Sequence, residues 1–236
     1  MKPHRLTLHF VLLSLVLFST NIAGQKQRAP SGGRIAVVVD ERLAALRASP
    51  ELNGKLVRRI SRGRLVAIRS VRTTRSGVVF YLVNVSSRTH GWIQREAVVS
   101  ASHVGDDAKL LSLIKESVAF DRIVRARIFL EQFPRSTHRA EVLLLLGDTA
   151  EEASEKLSRD AARRLDHLRA PESSYFLNYS GLDRYNRQGV TFVFEATTRR
   201  LHYDGAAWRE IVRGYPNSSQ ATEAKKRLAE RLARGA

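Results

Sequence analysis

The chain of 236 residues contains no cysteine. That absence excludes disulfides, thiol nucleophiles, a lipid-modified cysteine and most structural zinc sites, so the fold stands on its core alone. Equally absent are the short motifs of phosphate and acyl chemistry: there is no G-x-x-x-x-G-K-[ST] loop, no G-x-G-x-x-G turn and no G-x-S-x-G elbow. Past the first segment the histidines are His90, His103, His138, His167 and His202, scattered and without H-x-x-x-H or H-E-x-x-H spacing. His138 and Glu141 lie three apart but read as the solvated first turn of a helix. Glu151, Glu152 and Glu155 belong to an amphipathic helix face rather than to a carboxylate pair across a sugar cleft. These absences point away from an enzyme, and no catalytic, metal or cofactor residue is expected.

Acidic residues are also scarce: 23 Asp and Glu stand against 40 Lys and Arg, a formal net charge of +17. Such a balance suits an anionic partner, whether nucleic acid, lipid headgroups or cell-wall polymer; Arg spread through nearly every segment also fits a compositional habit of the encoding genome. The first residues carry Lys2 and Arg5, then an almost wholly apolar run, Leu6–Ser19, then Ile22-Ala23-Gly24, which ends in small residues. The run is shorter than the roughly 20 residues of a comfortable membrane span. Residues 1–24 therefore read as a signal peptide cleaved after Gly24, with an uncleaved anchor as the alternative. No later segment is apolar enough to cross a bilayer, so a periplasmic or otherwise extracytoplasmic protein is expected.

After a flexible linker, residues 25–33, the pattern is that of strands. Ile35–Val39 is β-branched, and further apolar stretches follow at Val57–Ile68, Val78–Val85, Trp92-Ile93 and Ala97–Val99, separated by Gly54, Gly63, Gly77 and Gly91 at expected turns. Short strands at this spacing predict a small antiparallel barrel over 34–100. Within it, thirteen Lys or Arg oppose four Asp or Glu, a net of +9. More than half of the charge left after signal removal thus sits in about a third of the length.

Three stretches of this segment stand in a familiar order: Ala45-Leu46-Arg47-Ala48-Ser49-Pro50, then Ile60–Ile68, then Gly91-Trp92-Ile93. They resemble, in turn, the "N-V-R-x-x-P" opening, the "L-x-x-G-x-x-V-x-V" strand and turn, and the closing "G-W-V" strand of bacterial SH3-like (SH3b) domains. Where that family usually carries a further Trp, this chain has Phe80 or Tyr81. The resemblance implies an SH3-like barrel and a cell-wall polymer or peptide as ligand. Basic residues beside aromatic rings can stack on and pair with such a ligand, which makes Arg47, Arg58, Arg59, Arg62, Arg64, Tyr81 and Trp92 the candidate contacts. Trp92, between Gly91 and Ile93 on the closing strand, reads first as a core residue and second as a contact.

From Asp106 to the end, 106–236, the period becomes helical. Asp106-Asp107 suit a helix start ahead of Leu110, Leu111, Leu113 and Ile114. Ile123, Ala126, Ile128, Phe129 and Leu130 mark a second helix stopped by Pro134, and Ser136 or Thr137 can cap a third running to about Leu168. One constant shift along the chain lays Phe133-Pro134-x-Ser136 on Tyr215-Pro216-x-Ser218, and places Ala126 on Trp208, Phe129 on Ile211, Leu130 on Val212 and Leu146 on Leu228. Each copy is a helix ending in an aromatic residue, a Pro-enforced turn and a second, antiparallel helix. Neither copy can bury its face alone. The segments Asp121–Leu146 and Asp204–Leu232 resemble tetratricopeptide-like repeats of bacterial envelope proteins, which implies protein partners for the helices. Between the copies, Val190-Phe192-Phe194 against Leu201-Tyr203 predicts a β-hairpin turning at Ala196–Thr198, with a β-branched helix as the alternative and Asp204 capping the helix that follows.

Taken together, the sequence predicts an α+β protein: a signal peptide, an SH3-like barrel and a tetratricopeptide-like helical domain with an inserted β-hairpin. The expected function is that of an exported, non-enzymatic adaptor. Alternatives are electrostatic nucleic-acid binding, against which the export signal counts, and an accessory subunit that addresses a wall-active enzyme.

Overall fold

The computed structural model describes residue 30 and residues 32–165 and 172–235. The signal segment 1–24, most of the linker and Pro171 lie outside the described residues, as does the end of the third helix near Leu168. The chain is mixed α+β. Its N-terminal part forms one seven-stranded sheet, every pair of it antiparallel: β1 (Arg34–Val38), β2 (Ala45–Arg47), β3 (Leu56–Arg59), β4 (Leu65–Thr73), β5 (Val79–Asn84), β6 (His90–Gln94) and β7 (Val98–Val99). The strand order is β3-β2-β6-β5-β4-β1-β7, so β3 and β7 are free ends and the ladder does not close on itself.

Turn chemistry explains most of the connections. Gly63 and Gly77 sit at φ of 80° and 82° between strands, a conformation that side chains rarely adopt. Gly91 departs from the expected turn role: it lies inside β6, where an added Cβ would stand 2.7 Å from the Arg47 carbonyl of β2. It is there for close approach of two strands. One side of the sheet, with Val38, Leu46, Ile60, Val66, Tyr81, Val83 and Ile93, closes over a core of its own.

The helices are α1 (Asp106–Glu116), α2 (Ala119–Gln132), α3 (Arg139–Leu165), α4 (Glu172–Leu177), α5 (Asp183–Asn186), α6 (Ala206–Gly214) and α7 (Ser219–Gly235). Between α5 and α6 lies the hairpin of β8 (Phe192–Glu195) and β9 (Arg200–Tyr203), which pairs Phe192 with Tyr203 and Phe194 with Leu201, in the register expected from the alternation. The Asp204 carboxylate accepts the Ala206 N–H at 3.0 Å, but the cap position expected for it is held by Gly205, in the left-handed region and with no side-chain cap bond.

The repeated corner is repeated in its hydrogen bonds. At the first, N–H groups of Phe133, Ser136 and Arg139 donate to the carbonyls of Phe129, Phe133 and Ser136 at 2.8, 3.2 and 3.2 Å. At the second, Tyr215, Ser218 and Ala221 donate to Ile211, Tyr215 and Ser218 at 2.8, 3.0 and 3.0 Å, the same three bonds at the equivalent positions of the second copy. The caps differ. Ser218 Oγ accepts the Ala221 N–H at 3.1 Å, whereas Ser136 Oγ accepts from His138 at 3.2 Å and donates to Asp107 of α1 at 2.7 Å. Phe133 is buried, but Tyr215 is only half-buried.

Helix α3 is the shared wall: α2 packs on it, as do α6, α7 and β9. One helical core takes in Ile123, Phe129, Leu143, Trp208 and Ile211, and extends to Val37, Val39 and Val99 of the sheet part. Gly147 in the middle of α3 makes room for Trp208, whose indole N would collide with a Cβ at that position and donates instead to Asp148 at 3.2 Å. Glycine weakens a helix interior; here it admits the largest side chain of the core.

Polar bonds join the sheet to the helices as well. The Ser100 N–H donates to the Asp106 carboxylate at 2.8 Å, and Lys109 Nζ donates to the carbonyls of Arg95 and Val98 at 3.3 and 3.1 Å. Burial holds the Lys109 amine below the usual lysine range.

Candidate functional site

At the β3 end of the sheet two cations stand without partners among the described residues. In β3 all four residues are exposed, and the side chains of Arg58 and Arg59 make no hydrogen bond or ion pair with the described residues. Beside them opens a groove of about 290 Å³ lined by Arg58, Arg59, Ile60, Ser61, Arg62, Arg64 and Val85. The structure thus brings together four of the seven residues expected as ligand contacts, but gives them different work.

Arg62 is turned into the molecule, with its side chain 13% exposed, and pairs with Asp121 of α2 at 2.9 Å while its N–H donates to Glu41 at 2.8 Å. The hydrogen bond from Arg62, with its positive charge, holds the Asp121 carboxyl below its ordinary value. Arg64 donates to the Val85 carbonyl at 3.3 Å and so shapes the groove wall. The freely presented cations of the groove are Arg58 and Arg59.

A row of side chains runs across the sheet from this end: Leu56, Arg47, Trp92 and Leu82 are successive cross-strand partners on β3, β2, β6 and β5. Directly paired residues of adjacent strands lie on one face. Trp92 and Arg47 are half-buried there, with Leu56 exposed at the rim. Arg47 donates to the Gly54 carbonyl at 2.7 Å, which fixes it beside the Trp92 ring. Tyr81, by contrast, is 7% exposed, sits in the sheet's own core and offers only a hydroxyl that accepts from Arg95 at 3.1 Å. It is a core residue and not a contact surface, because its position on β5 faces Ile93 rather than Trp92.

Two arrangements were not expected from the sequence. Arg125 of α2 is 7% exposed and donates to the Val39 carbonyl at 3.2 Å and to Ser117 Oγ at 2.5 Å, stitching helix to sheet. Burial pushes its guanidinium below the usual value. Its signal was present: an arginine inside the apolar stripe that includes Ile128 and Phe129. The other is Glu151 of α3, whose carboxylate meets His202 Nδ1 at 3.1 Å and accepts the Tyr203 N–H at 2.9 Å, fastening the hairpin to α3. These partners are far apart along the chain, and nothing local in the sequence announces them.

Among the described residues no group of three or more His, Cys, Asp or Glu is placed to hold a metal ion, and no helix is long and apolar enough to cross a membrane. Compared with protein-family models, curated proteins and solved structures, the chain matches none.

Proposed function

We propose that this is an exported, non-enzymatic adaptor of the bacterial cell envelope. The basic end of its sheet binds a carboxylate-rich wall polymer or peptide, and its helices engage a protein partner. The observation that carries the reading is the pair Arg58 and Arg59, exposed and without ion-pair partners among the described residues, with Arg59, paired to Ala45, on the face of the sheet that carries Arg47 and Trp92. Guanidinium groups match carboxylates in geometry, and an indole face accepts a sugar ring or another planar group. The surrounding charge of +9 over residues 34–100 draws such a partner in.

In this reading the sheet is a variant of the SH3-like barrel, supported by the ordered trio of motifs and by the antiparallel order of its strands. The helices are a short tetratricopeptide-like array, supported by the corner at Phe133 whose three hydrogen bonds recur at Tyr215. Export rests on the N-terminal basic and apolar pattern of residues 1–24.

The test is retention of the purified chain, freed of residues 1–24, on isolated bacterial cell walls with their bound polymers and peptides. Retention at physiological salt, release as salt rises, and loss on the joint change Arg58→Ser and Arg59→Ser are expected. No retention, or retention unaffected by the double change, overturns the reading. A fusion of the N-terminal segment, Met1 to Pro30, to alkaline phosphatase should be active outside the cytoplasm; an inactive fusion returns nucleic acid to the front.

A further inference from the structure

The two ends of the sheet are finished differently. At one end β7 is buried, and the Val98 carbonyl is taken by Lys109 Nζ at 3.1 Å. At the other, β3 has only β2 as a neighbour, and among the described residues nothing pairs with its outer side. The hydrogen-bond phase of that outer side follows from the ladder. The Ile60 N–H donates to the Ala44 carbonyl at 2.9 Å, and Leu46–Arg58 and Ala45–Arg59 follow in the same register. Antiparallel ladders alternate bonded and non-bonded pairs. Arg58 is therefore bonded to β2, whereas the N–H and C=O of Arg59 point away from the sheet, toward solvent.

An open edge of this kind is a template for a further strand. The side chains it presents are specific: exposed Leu56 and Val57, then Arg58 and Arg59, without partners among the described residues. We infer that β3 takes an extended acidic peptide as an eighth, antiparallel strand of the sheet. The inference rests on the reading above and names its ligand. Main-chain bonds form at Arg59, two adjacent carboxylates come opposite Arg59 and Arg58, and apolar residues follow opposite Val57 and Leu56. Cross-strand neighbours stand close enough for each carboxylate to meet its guanidinium. The +9 of residues 34–100 favours this partner over a neutral or basic one. A polymer held by charge alone needs the arginines but not the backbone of β3, and that difference is measurable.

The experiment is fluorescence anisotropy of the whole chain freed of residues 1–24, with a fluorescein-labelled peptide carrying two adjacent glutamates followed by two valines. Arg59→Ser removes the charge; Arg59→Pro removes the charge and the outward N–H together, at an edge position where proline is compatible with the fold. Arg59→Ser should weaken binding several-fold, and Arg59→Pro about tenfold further, with circular dichroism unchanged. N-methylation of alternate peptide amides should abolish binding in one phase and spare it in the other, because a strand pairs with period two. Equal binding by the two variants, together with indifference to N-methylation, overturns strand addition while salt-sensitive binding keeps the basic-end reading standing. Failure of both this peptide and polyglutamate to bind at low salt overturns both.

Discussion

At the residue scale, arginines of one short stretch do opposite things. Arg58 and Arg59 reach into solvent, so their joint change to Ser should alter the stability read from urea unfolding by less than about 0.5 kcal/mol, as surface changes do. Arg62→Ser breaks the pair with Asp121, which is 57% exposed, and should cost about 0.5–1 kcal/mol after allowing for solvent screening. Arg125→Met strands a carbonyl and a hydroxyl that the guanidinium now satisfies, and should cost about 1–3 kcal/mol. Equal costs at all these positions would contradict the division of labour. Asp40, Asp107 and Asp121 each have their carboxyl held below the ordinary value, mainly by hydrogen bonds from Arg42, Ser136 and Arg62 respectively. A depressed native pKa gives stability that is fully present above the unfolded value near 3.9 and is lost as pH falls through the native one. Urea midpoints should therefore owe these groups no change between about pH 8 and 5, and should fall below about pH 4. A loss beginning near neutrality would have another origin.

At the scale of elements, the repeated corner is the clearest feature and also the most legible one. Proline after an aromatic residue, with serine two further on, fixes a turn by local chemistry, and both copies were readable without any tertiary knowledge. The hairpin of β8 and β9 was legible for the same reason, through strict alternation between Phe192 and Tyr203. What stayed hidden was non-local: Gly91 looked like a turn until β2 was laid against it, and Tyr81 looked available until its face of β5 was known. Phe133→Ala should destabilise the helical part by about 2–4 kcal/mol, the range for a buried large side chain. Tyr215 is half-buried, so its truncation should cost about half as much. Both rings pack with one core, and the double variant should depart from additivity. Gly147→Ala sets helix propensity, a gain of about 0.5–1 kcal/mol, against a Cβ pressed into the Trp208 indole. Overpacking of that kind costs about 1–3 kcal/mol, so net destabilisation in thermal melts is expected, and stabilisation would mean that the indole has room to move.

On the scale of the whole molecule, sheet and helices are joined more firmly than a change of sequence period at residues 101–105 suggests. Val104 in that stretch is 96% exposed, and a protease should cut there first. The halves should nevertheless elute together, because Val37, Val39 and Val99 sit in the helical core and Arg125 bonds across the joint. Separation of the nicked halves without denaturant would show two independent units. In the proposed reading, a joint with a shared core sets the direction in which the basic end faces relative to the helices. The most direct measurement places a photo-crosslinking amino acid at Val57, beside Arg58 and Arg59, in cells producing the full chain. Irradiation should yield a covalent adduct with an acidic peptide or polymer of the envelope, identified by mass spectrometry and lost when Arg58 and Arg59 are both changed to Ser. No adduct at Val57, or one indifferent to the loss of both arginines, would contradict the assignment of this sheet end as the binding site.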